Sequence, residues 1–224
     1  MTKIHVIRLG FVNVFIIQGQ RCILVDTGVK KKADEILRKA EKFNINPDMI
    51  DLIVLTHGHG DHTGSLKELK ERTGAKALIG KREYATLMLE AKDDIKPIAP
   101  IAKFIFWIND LIGVSPTKFE IPIEILVDDT YDLNQFGIQG KIVQTPGHSS
   151  GSISVLLEDG SAIIGDSLVA MMPWSKLSIP ALAISLKIVK ESMLKLIEMG
   201  ASRFYLSHGK DYSLEDMKKV LDKM

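Results

Sequence analysis

An apolar run that ends in a histidine-rich turn constrains this chain more than any other feature. The run MIDLIVLT (49–56) has the pattern of a β-strand buried on both faces, and the turn HGHGDH (57–62) follows it directly. That turn holds three of the six histidines in the chain. Imidazoles crowded in this way contribute little to a core and repel one another when charged. The segment therefore predicts a polar site at the end of a buried strand, where α/β folds place their ligands.

The spacing within the turn indicates metal binding. His57 and His59 are two residues apart, so in an extended chain their side chains point the same way. The glycines that alternate with them remove side-chain bulk and allow unusual backbone angles. Asp61 and His62 then begin a helix, and adjacent residues on a turn project in different directions. The spacing therefore suits two neighbouring metal ions better than one.

Four further residues of ligand type follow other predicted strands. Asp26 lies in LVDTG, His148 in TPGHSSGS, Asp166 in IIGDS and His208 in YLSHGK. Taken singly, either aspartate is explained by a turn and either histidine by an ordinary surface or core position. Taken together with the histidine-rich turn, they place imidazole and carboxylate groups at one set of strand ends. Neutral imidazole and carboxylate suit zinc, iron or manganese.

Strands and helices alternate in both halves of the chain, which predicts an α/β class. The segment IVLTHGHGDHTGS (53–65) resembles IVQTPGHSSGS (142–152), which fits two similar halves whose loops meet at one edge. The segment SLKELKERTG (65–74) predicts a helix with Gly74 past its end as a C-cap, and a long helix is predicted around 181–199. Without a linker or a break in composition, we expect a single domain over 1–224, with an apolar helical insertion around 85–120.

The most apolar stretch is PIAPIAKFIFWINDLIG (97–113). It is too short to cross a bilayer, which takes about 20 apolar residues, so no membrane span is expected. As a helix it would be apolar almost all round, more than one face on a core requires. Burial between layers or in a homodimer interface is one interpretation. The other is an apolar wall for the substrate, in which Phe106 and Trp107 make the contacts.

The composition of the chain indicates which binding partners and which cellular compartment to expect. The chain has 29 basic and 28 acidic residues, a formal charge of +1, so nucleic acid is not the favoured partner. Cys22 is the only cysteine, which suits a reducing compartment, and we expect it to pack as a small apolar side chain. The N-terminal segment lacks the long apolar core of a signal peptide, so a cytoplasmic location is expected.

The ordered set of candidate ligands resembles the metallo-β-lactamase superfamily. The resemblance rests on the pattern His57-x-His59-x-Asp61-His62, followed by His148, Asp166 and His208. It covers nearly the whole chain, from DTG (26–28) to SHG (207–209). It implies an α/β (α+β) fold, namely an αββα sandwich in which two mixed β-sheets are flanked by helices. The metals would lie at one edge of that sandwich.

The resemblance also implies a role for each of these residues. The ligands of a first metal would be three histidines, His57, His59 and His148. The ligands of a second metal would be Asp61, His62 and His208. Asp166 would bridge both metals, and Asp26 would orient the ligand loop from behind.

The implied activity is hydrolysis of a small-molecule substrate. Two divalent transition metals, zinc first with iron or manganese as alternatives, would share a bridging hydroxide that attacks a thioester, lactone or related ester. Asp61 is the expected catalytic residue that accepts the proton of the attacking water. Thioester hydrolysis of the glyoxalase II kind leads, and lactone hydrolysis follows. Two alternatives remain, a mononuclear-iron persulfide dioxygenase and a phosphodiesterase or ribonuclease of the same superfamily.

Overall fold

The computed structural model describes residues 2–88, 95–98, 122–170 and 175–224. Within these ranges most strands belong to two six-stranded sheets. In spatial order the first sheet consists of β1 (Lys3–Leu9), β2 (Val12–Gln18), β3 (Cys22–Val25), β4 (Ile50–Leu55), β5 (Lys76–Gly80) and β7 (Ile125–Val127). The second consists of β14 (Asp211–Ser213), β13 (Arg203–Tyr205), β11 (Ser161–Ile163), β10 (Ile153–Leu157), β9 (Gly140–Gln144) and β8 (Thr130–Asp132). A short ladder pairs β6 (Lys96–Pro97) with β12 (Leu182–Ala183).

The described helices are α1 (Ala33–Glu41), α2 (Gly60–Thr63), α3 (Leu66–Thr73), α4 (Lys81–Met88), α5 (Leu186–Glu198) and α6 (Leu214–Leu221), with 3-10 turns at Pro47–Met49 and Asn134–Phe136. Helices α1, α3 and α4 pack on the first sheet, and α5 and α6 pack on the second. The short helix α2 carries Asp61 and His62. Helix α3 ends at Gly74, which has a left-handed φ of 72°, so the predicted C-cap is confirmed. Helix α6 begins with a capping box formed by Ser213 and Asp216.

Alternation of apolar side chains along the strands produces three layers of core. The layer between the two sheets includes Phe15, Val25, Leu52, Ile142, Val155 and Ile163. The layer between the first sheet and helices α1 and α3 includes Leu24, Ile53, Ile79, Ile36, Leu37 and Leu69. The layer between the second sheet and helices α5 and α6 includes Ala162, Ile164, Val189, Met193, Leu196 and Met217. These layers give the order helix, sheet, sheet, helix, which confirms the predicted αββα sandwich.

The strands that precede the candidate ligands point to one edge of the sandwich. In the first sheet β3 and β4 are parallel, and β1 has the same direction because β2 is antiparallel to both β1 and β3. In the second sheet β9, β11 and β13 share a direction, since β10 is antiparallel to β9 and β11 while β13 is parallel to β11. The sheets are joined at this edge by backbone hydrogen bonds from Ile153 N to Thr56 O (2.9 Å) and from Asn13 N to Ser207 O (2.8 Å).

Two helix predictions differ from the structure. The helix expected around 181–199 begins only at Leu186, because Leu182 and Ala183 pair with β6 and the Ser185 side chain then caps the helix by accepting from Ile188 N. The helix expected over 97–113 does not begin at its first residues. Pro97 lies in β6, and the Ile98 N–H donates to the carbonyl of Ala181 at 2.8 Å.

Some of the predicted features lie on residues that the structure does not describe. Phe106 and Trp107, and most of the proposed insertion around 85–120, lie outside the described residues. Cys22 is fully buried in β3, as predicted for a small apolar side chain. In the ranges that the structure covers, no helix is both long enough and apolar enough to cross a membrane.

Candidate metal centre

Three histidines meet where the loops after β4 and β9 converge, and we call His57, His59 and His148 the three-histidine group. His57 directly follows Thr56 at the end of β4, and His59 has an extended backbone at the start of α2. Nδ1 of His59 lies 3.0 Å from Nε2 of His57 and 3.2 Å from Nε2 of His148. The two ligand loops thus meet at one edge, as the internal sequence similarity predicts.

Hydrogen bonds on the far side of two of these rings fix which nitrogen faces the centre. Nδ1 of His57 lies 3.1 Å from the Thr56 hydroxyl, and Nδ1 of His148 lies 2.8 Å from the carbonyl oxygen of Leu182. When each Nδ1 carries the proton, each Nε2 is left with a free lone pair that points inward. An imidazole held in this way is prepared to bind a metal ion.

A second group forms beside the first, and we call Asp61, His62 and His208 the aspartate–histidine group. Oδ1 of Asp61 lies 3.7 Å from Nε2 of His62, and Oδ2 of Asp61 lies 3.3 Å from Nε2 of His208. Nδ1 of His208 is 2.8 Å from the carbonyl oxygen of Phe11, in the hairpin between β1 and β2. The hairpin therefore fixes the orientation of the His208 ring.

Asp166 lies between the two groups. Its Oδ2 is 4.0 Å from Nε2 of His57 and 3.3 Å from Nε2 of His208, while its Oδ1 is 3.5 Å from Nε2 of His62. Its ligand atoms gather with the three-histidine group within 4.8 Å, and it also contacts two members of the other group. Asp166 therefore contacts histidines of both groups.

Asp26 lies behind the aspartate–histidine group, where no solvent reaches it. One of its oxygens accepts from the backbone N–H of Thr56 at 2.8 Å, and the other lies 2.7 Å from Nδ1 of His62. The Ser207 hydroxyl donates to it at 3.3 Å. Asp26 has a φ of 62°, a left-handed conformation that is uncommon for residues other than glycine. That conformation aims its carboxylate at the ligand loop.

The two groups differ in their preferred charge. Burial, with the neighbouring His62 next, holds the pKa of His57 well below its usual range. Burial likewise lowers the pKa of His59 to about 3 and lowers the pKa of His148. The three-histidine group is therefore neutral at pH 7, which is the form that binds metals.

In the aspartate–histidine group, neighbouring carboxylates raise the pKa values of the histidines, although burial alone would lower them. Burial alone would lower the pKa of His208, but Asp166 and Asp61 outweigh it and raise that pKa to about 10. The same two carboxylates outweigh burial at His62 and raise its pKa well above the usual range. Burial would raise the pKa of Asp166, but His208 and His62 hold it well below its ordinary value. These carboxylates stabilise positive charge beside them.

The residues fit a divalent metal centre. Each group offers the imidazole nitrogens and carboxylate oxygens that suit such ions. Within the described ranges, the buried atoms Nε2 of His62 and Oδ1 of Asp166 have no hydrogen-bond partner, although buried polar atoms nearly always have one. The two atoms lie 3.5 Å apart, and a cation bound beside them would satisfy both.

Comparison with known proteins decides the family. The model of the metallo-beta-lactamase superfamily matches residues 7–208. This chain belongs to the metallo-β-lactamase superfamily. A "Probable metallo-hydrolase" of Bacillus subtilis is 27% identical over 75% of this chain and 65% of its own length. A second protein of that name, from Methanocaldococcus jannaschii, is 29% identical over 70% of this chain and 68% of its own length.

Solved structures of the superfamily share the fold. An archaeal metallo-β-lactamase superfamily protein from Sulfolobus tokodaii superposes with a TM-score of 0.72 at 24% identity, covering 100% of this chain and 86% of the other. The B3 metallo-β-lactamase BLEG-1 gives 0.70 at 17% identity, covering 98% and 97%. At these identities the likeness establishes the metallo-β-lactamase fold.

Several residues that shape this site were not predicted from the sequence. Thr56 and Ser207 both bind Asp26, and the carbonyls of Phe11 and Leu182 each hold a histidine ring. Threonine and serine beside a candidate ligand are visible in the sequence. The carbonyls carry no sequence signal, because any residue would supply one.

The variant Asp26→Asn is expected to bind the second metal more weakly than the wild-type protein. The asparagine keeps the size of the side chain but removes the charge that holds Nδ1–H of His62. Because partners of this kind orient metal-binding histidines, we expect affinity for the second metal to fall about 10- to 100-fold. Competition with a chelating dye measures this affinity. Asp51→Asn, which affects only a surface pair with Arg21, is the control, and equal affinities in the two variants would contradict the prediction.

Proposed function

We propose that this chain is a dinuclear metal-dependent hydrolase, most simply a zinc enzyme, that cleaves a thioester, lactone or related ester. The observation that carries the proposal is the position of Asp166. It contacts histidines of both groups, within 4.0 Å of His57 and 3.3 Å of His208. A carboxylate between two ligand groups supports two neighbouring ions rather than one.

The chemistry that the metals supply is common to dinuclear sites. When bound, two such ions would lower the pKa of water to about 7 and polarise the substrate oxygen. The residues of the chain supply the rest. Among the candidate ligands, His57, His62, His148 and His208 are buried, whereas His59, Asp61 and Asp166 are partly exposed. A substrate therefore reaches the site from the side on which His59, Asp61 and Asp166 lie.

Asp61 is the proposed proton acceptor. Its side chain is 13% exposed, so it faces the side from which water and substrate arrive. Burial would raise its pKa, but His62 and His208 lower it below the ordinary value, so it is a carboxylate at neutral pH. A carboxylate at this position accepts a proton from attacking water and passes it to solvent.

The surroundings of the site support an uncharged ester-type substrate. The Phe11 ring is 50% exposed and lies parallel to the His208 ring, with 5.8 Å between their centroids. An exposed apolar ring at the mouth of the site suits the organic part of a thioester or lactone. The near-neutral net charge of +1 does not favour a nucleic-acid backbone.

A substrate panel tests the proposed function. The metal-loaded protein would be assayed on thioesters, lactones and phosphodiesters, and kcat/KM compared between the three classes. Preference for a thioester or lactone is the expected result. Preference for a phosphodiester would replace the proposal with the nuclease alternative.

The variant His208→Ala tests the division into two metal groups. Removing His208 leaves the three-histidine group intact, so we expect the second metal to be lost while the first is retained. Metal content after dialysis and a metal titration would measure both. His5→Ala is the matched control, because His5 pairs with Gln18 at 2.9 Å and stacks on Phe43 rather than contacting either group. Equal loss of both metals would contradict the division.

A further inference from the structure

Helix α4 carries a buried carboxylate that contacts both ligand loops. Glu83 lies in the first turn of α4 and is only 5% exposed. Its Oε1 accepts from the backbone N–H of Gly58 at 2.7 Å. Its Oε2 accepts from the Ser149 hydroxyl at 2.6 Å and from the Gly151 N–H at 3.2 Å. One side chain therefore joins the loop after β4 to the loop after β9.

The partners of Glu83 are neighbours of the three-histidine group. Gly58 lies between His57 and His59, and Ser149 directly follows His148. These two loops come from different sheets. The carboxylate thus fixes their separation at the point where the three imidazoles converge.

Close packing of α4 on both loops explains two of the glycines. A Cβ atom at Gly58 would lie 2.5 Å from Cδ1 of Leu87, and one at Gly151 would lie 1.9 Å from the backbone nitrogen of Glu83. Real Cβ atoms do not approach other atoms so closely, and at Gly151 the obstacle is backbone, which cannot turn aside. Only glycine therefore fits at position 151, whereas at position 58 the Leu87 side chain would have to move. Helix α4 packs against both loops and supports them.

Packing alone does not explain a charged carboxylate in this position. Burying a carboxylate is costly unless hydrogen bonds compensate, and bonds to a charged acceptor are about twice as strong as neutral ones. A glutamate in the first turn of a helix is favoured by the helix dipole, but the carboxylate of such a residue can remain exposed and hydrogen-bond to water. Glu83 instead directs both oxygens into the metal-site loops.

We propose that Glu83 is a positioning residue of the metal centre. By holding Gly58 and Ser149 together, it sets the spacing of His57, His59 and His148 and thereby the affinity of that group for its metal. This inference rests on the metal centre of the proposed function. It assigns to Glu83 no contact with the metal or the substrate.

The test compares Glu83→Ala and Glu83→Gln with Glu124→Ala as a matched control. Glu124 is also a carboxylate that accepts a backbone N–H, that of Ala77 at 2.8 Å, and it binds Lys70 rather than a ligand loop. Co²⁺ would be titrated into each full-length protein in competition with a chelator of known affinity. The His208→Ala variant identifies which equivalent belongs to the three-histidine group.

We expect Glu83→Ala to weaken metal binding at the three-histidine group by about 10- to 100-fold, the usual effect of losing a residue that orients ligands. Binding at the aspartate–histidine group should be unchanged. Glu83→Gln keeps one acceptor oxygen and should recover part of the loss. Glu124→Ala should lower the unfolding temperature without changing either affinity. If Glu83→Ala does not fold, the same Co²⁺ titrations on Glu83→Gln and Ser149→Ala test the inference.

Hydrogen exchange in the metal-free protein gives a second readout. Exchange at the Gly58 and Gly151 amides should be faster in Glu83→Ala than in wild type, and unchanged in Glu124→Ala. Wild-type affinities in the Glu83 variants, or equal weakening at both metal groups, would overturn this inference and leave the proposed function standing. A wild-type protein that binds no divalent metal would overturn the proposed function and this inference together.

Discussion

Stripping the metal from this protein is expected to abolish hydrolysis, and two equivalents of zinc are expected to restore it. Six of the seven candidate ligands form two adjacent groups, and the seventh, Asp166, contacts histidines of both. Nε2 of His57 lies 3.0 Å from Nδ1 of His59, so these two nitrogens are close enough to bind one ion together. Bound cations would also neutralise the carboxylates of Asp61 and Asp166.

Metal content and thermal unfolding would measure this effect independently of any substrate. A ligand that binds only the folded state stabilises it by about 2.7 kcal/mol at a free concentration 100 times its Kd. The unfolding temperature should therefore rise with added zinc until two equivalents are bound. Saturation at a single iron, together with oxidation of a persulfide, would favour the dioxygenase alternative over a dinuclear hydrolase.

The placement of this site was predictable because its signals are local. Each candidate ligand follows a short apolar run, and parallel strands bring their carboxyl ends to one edge. His57 after β4, Asp166 after β11 and His208 after β13 all lie where that rule places them. The fold class followed from the alternation of strands and helices and from the family resemblance.

Other features were not predictable because their causes are distant in sequence. The β6–β12 ladder joins segments of two residues each, which are too short to show any periodicity. Because of this ladder, α5 begins at Leu186 and not near residue 181 as predicted. Glu83 resembles an ordinary first-turn glutamate. Its role depends on Gly58 and Ser149, which are 25 and 66 positions away. Only the folded chain brings these residues together.

The variant Asp61→Asn is expected to lose most of its turnover while it remains folded. Asparagine has nearly the same shape and keeps one oxygen that can bind a metal. Its amide cannot accept a proton from water, and removing a positioned proton acceptor typically costs about 10²- to 10⁴-fold in rate. The loss should appear in kcat with saturating zinc present, so that weaker metal binding does not contribute. Metal analysis of the assayed sample would verify that both ions are bound.

Cys22→Ala is the control for a different nucleophile. Cys22 begins β3, whereas Asp26 follows the other end of that strand, so the thiol lies roughly 13 Å from the metal-site edge by strand geometry. Burial also raises the pKa of the Cys22 thiol, which disfavours the reactive thiolate. We therefore expect turnover in Cys22→Ala to match wild type. Full activity in Asp61→Asn, or loss of activity in Cys22→Ala with its fold and metal content intact, would show that a group other than Asp61 begins the reaction.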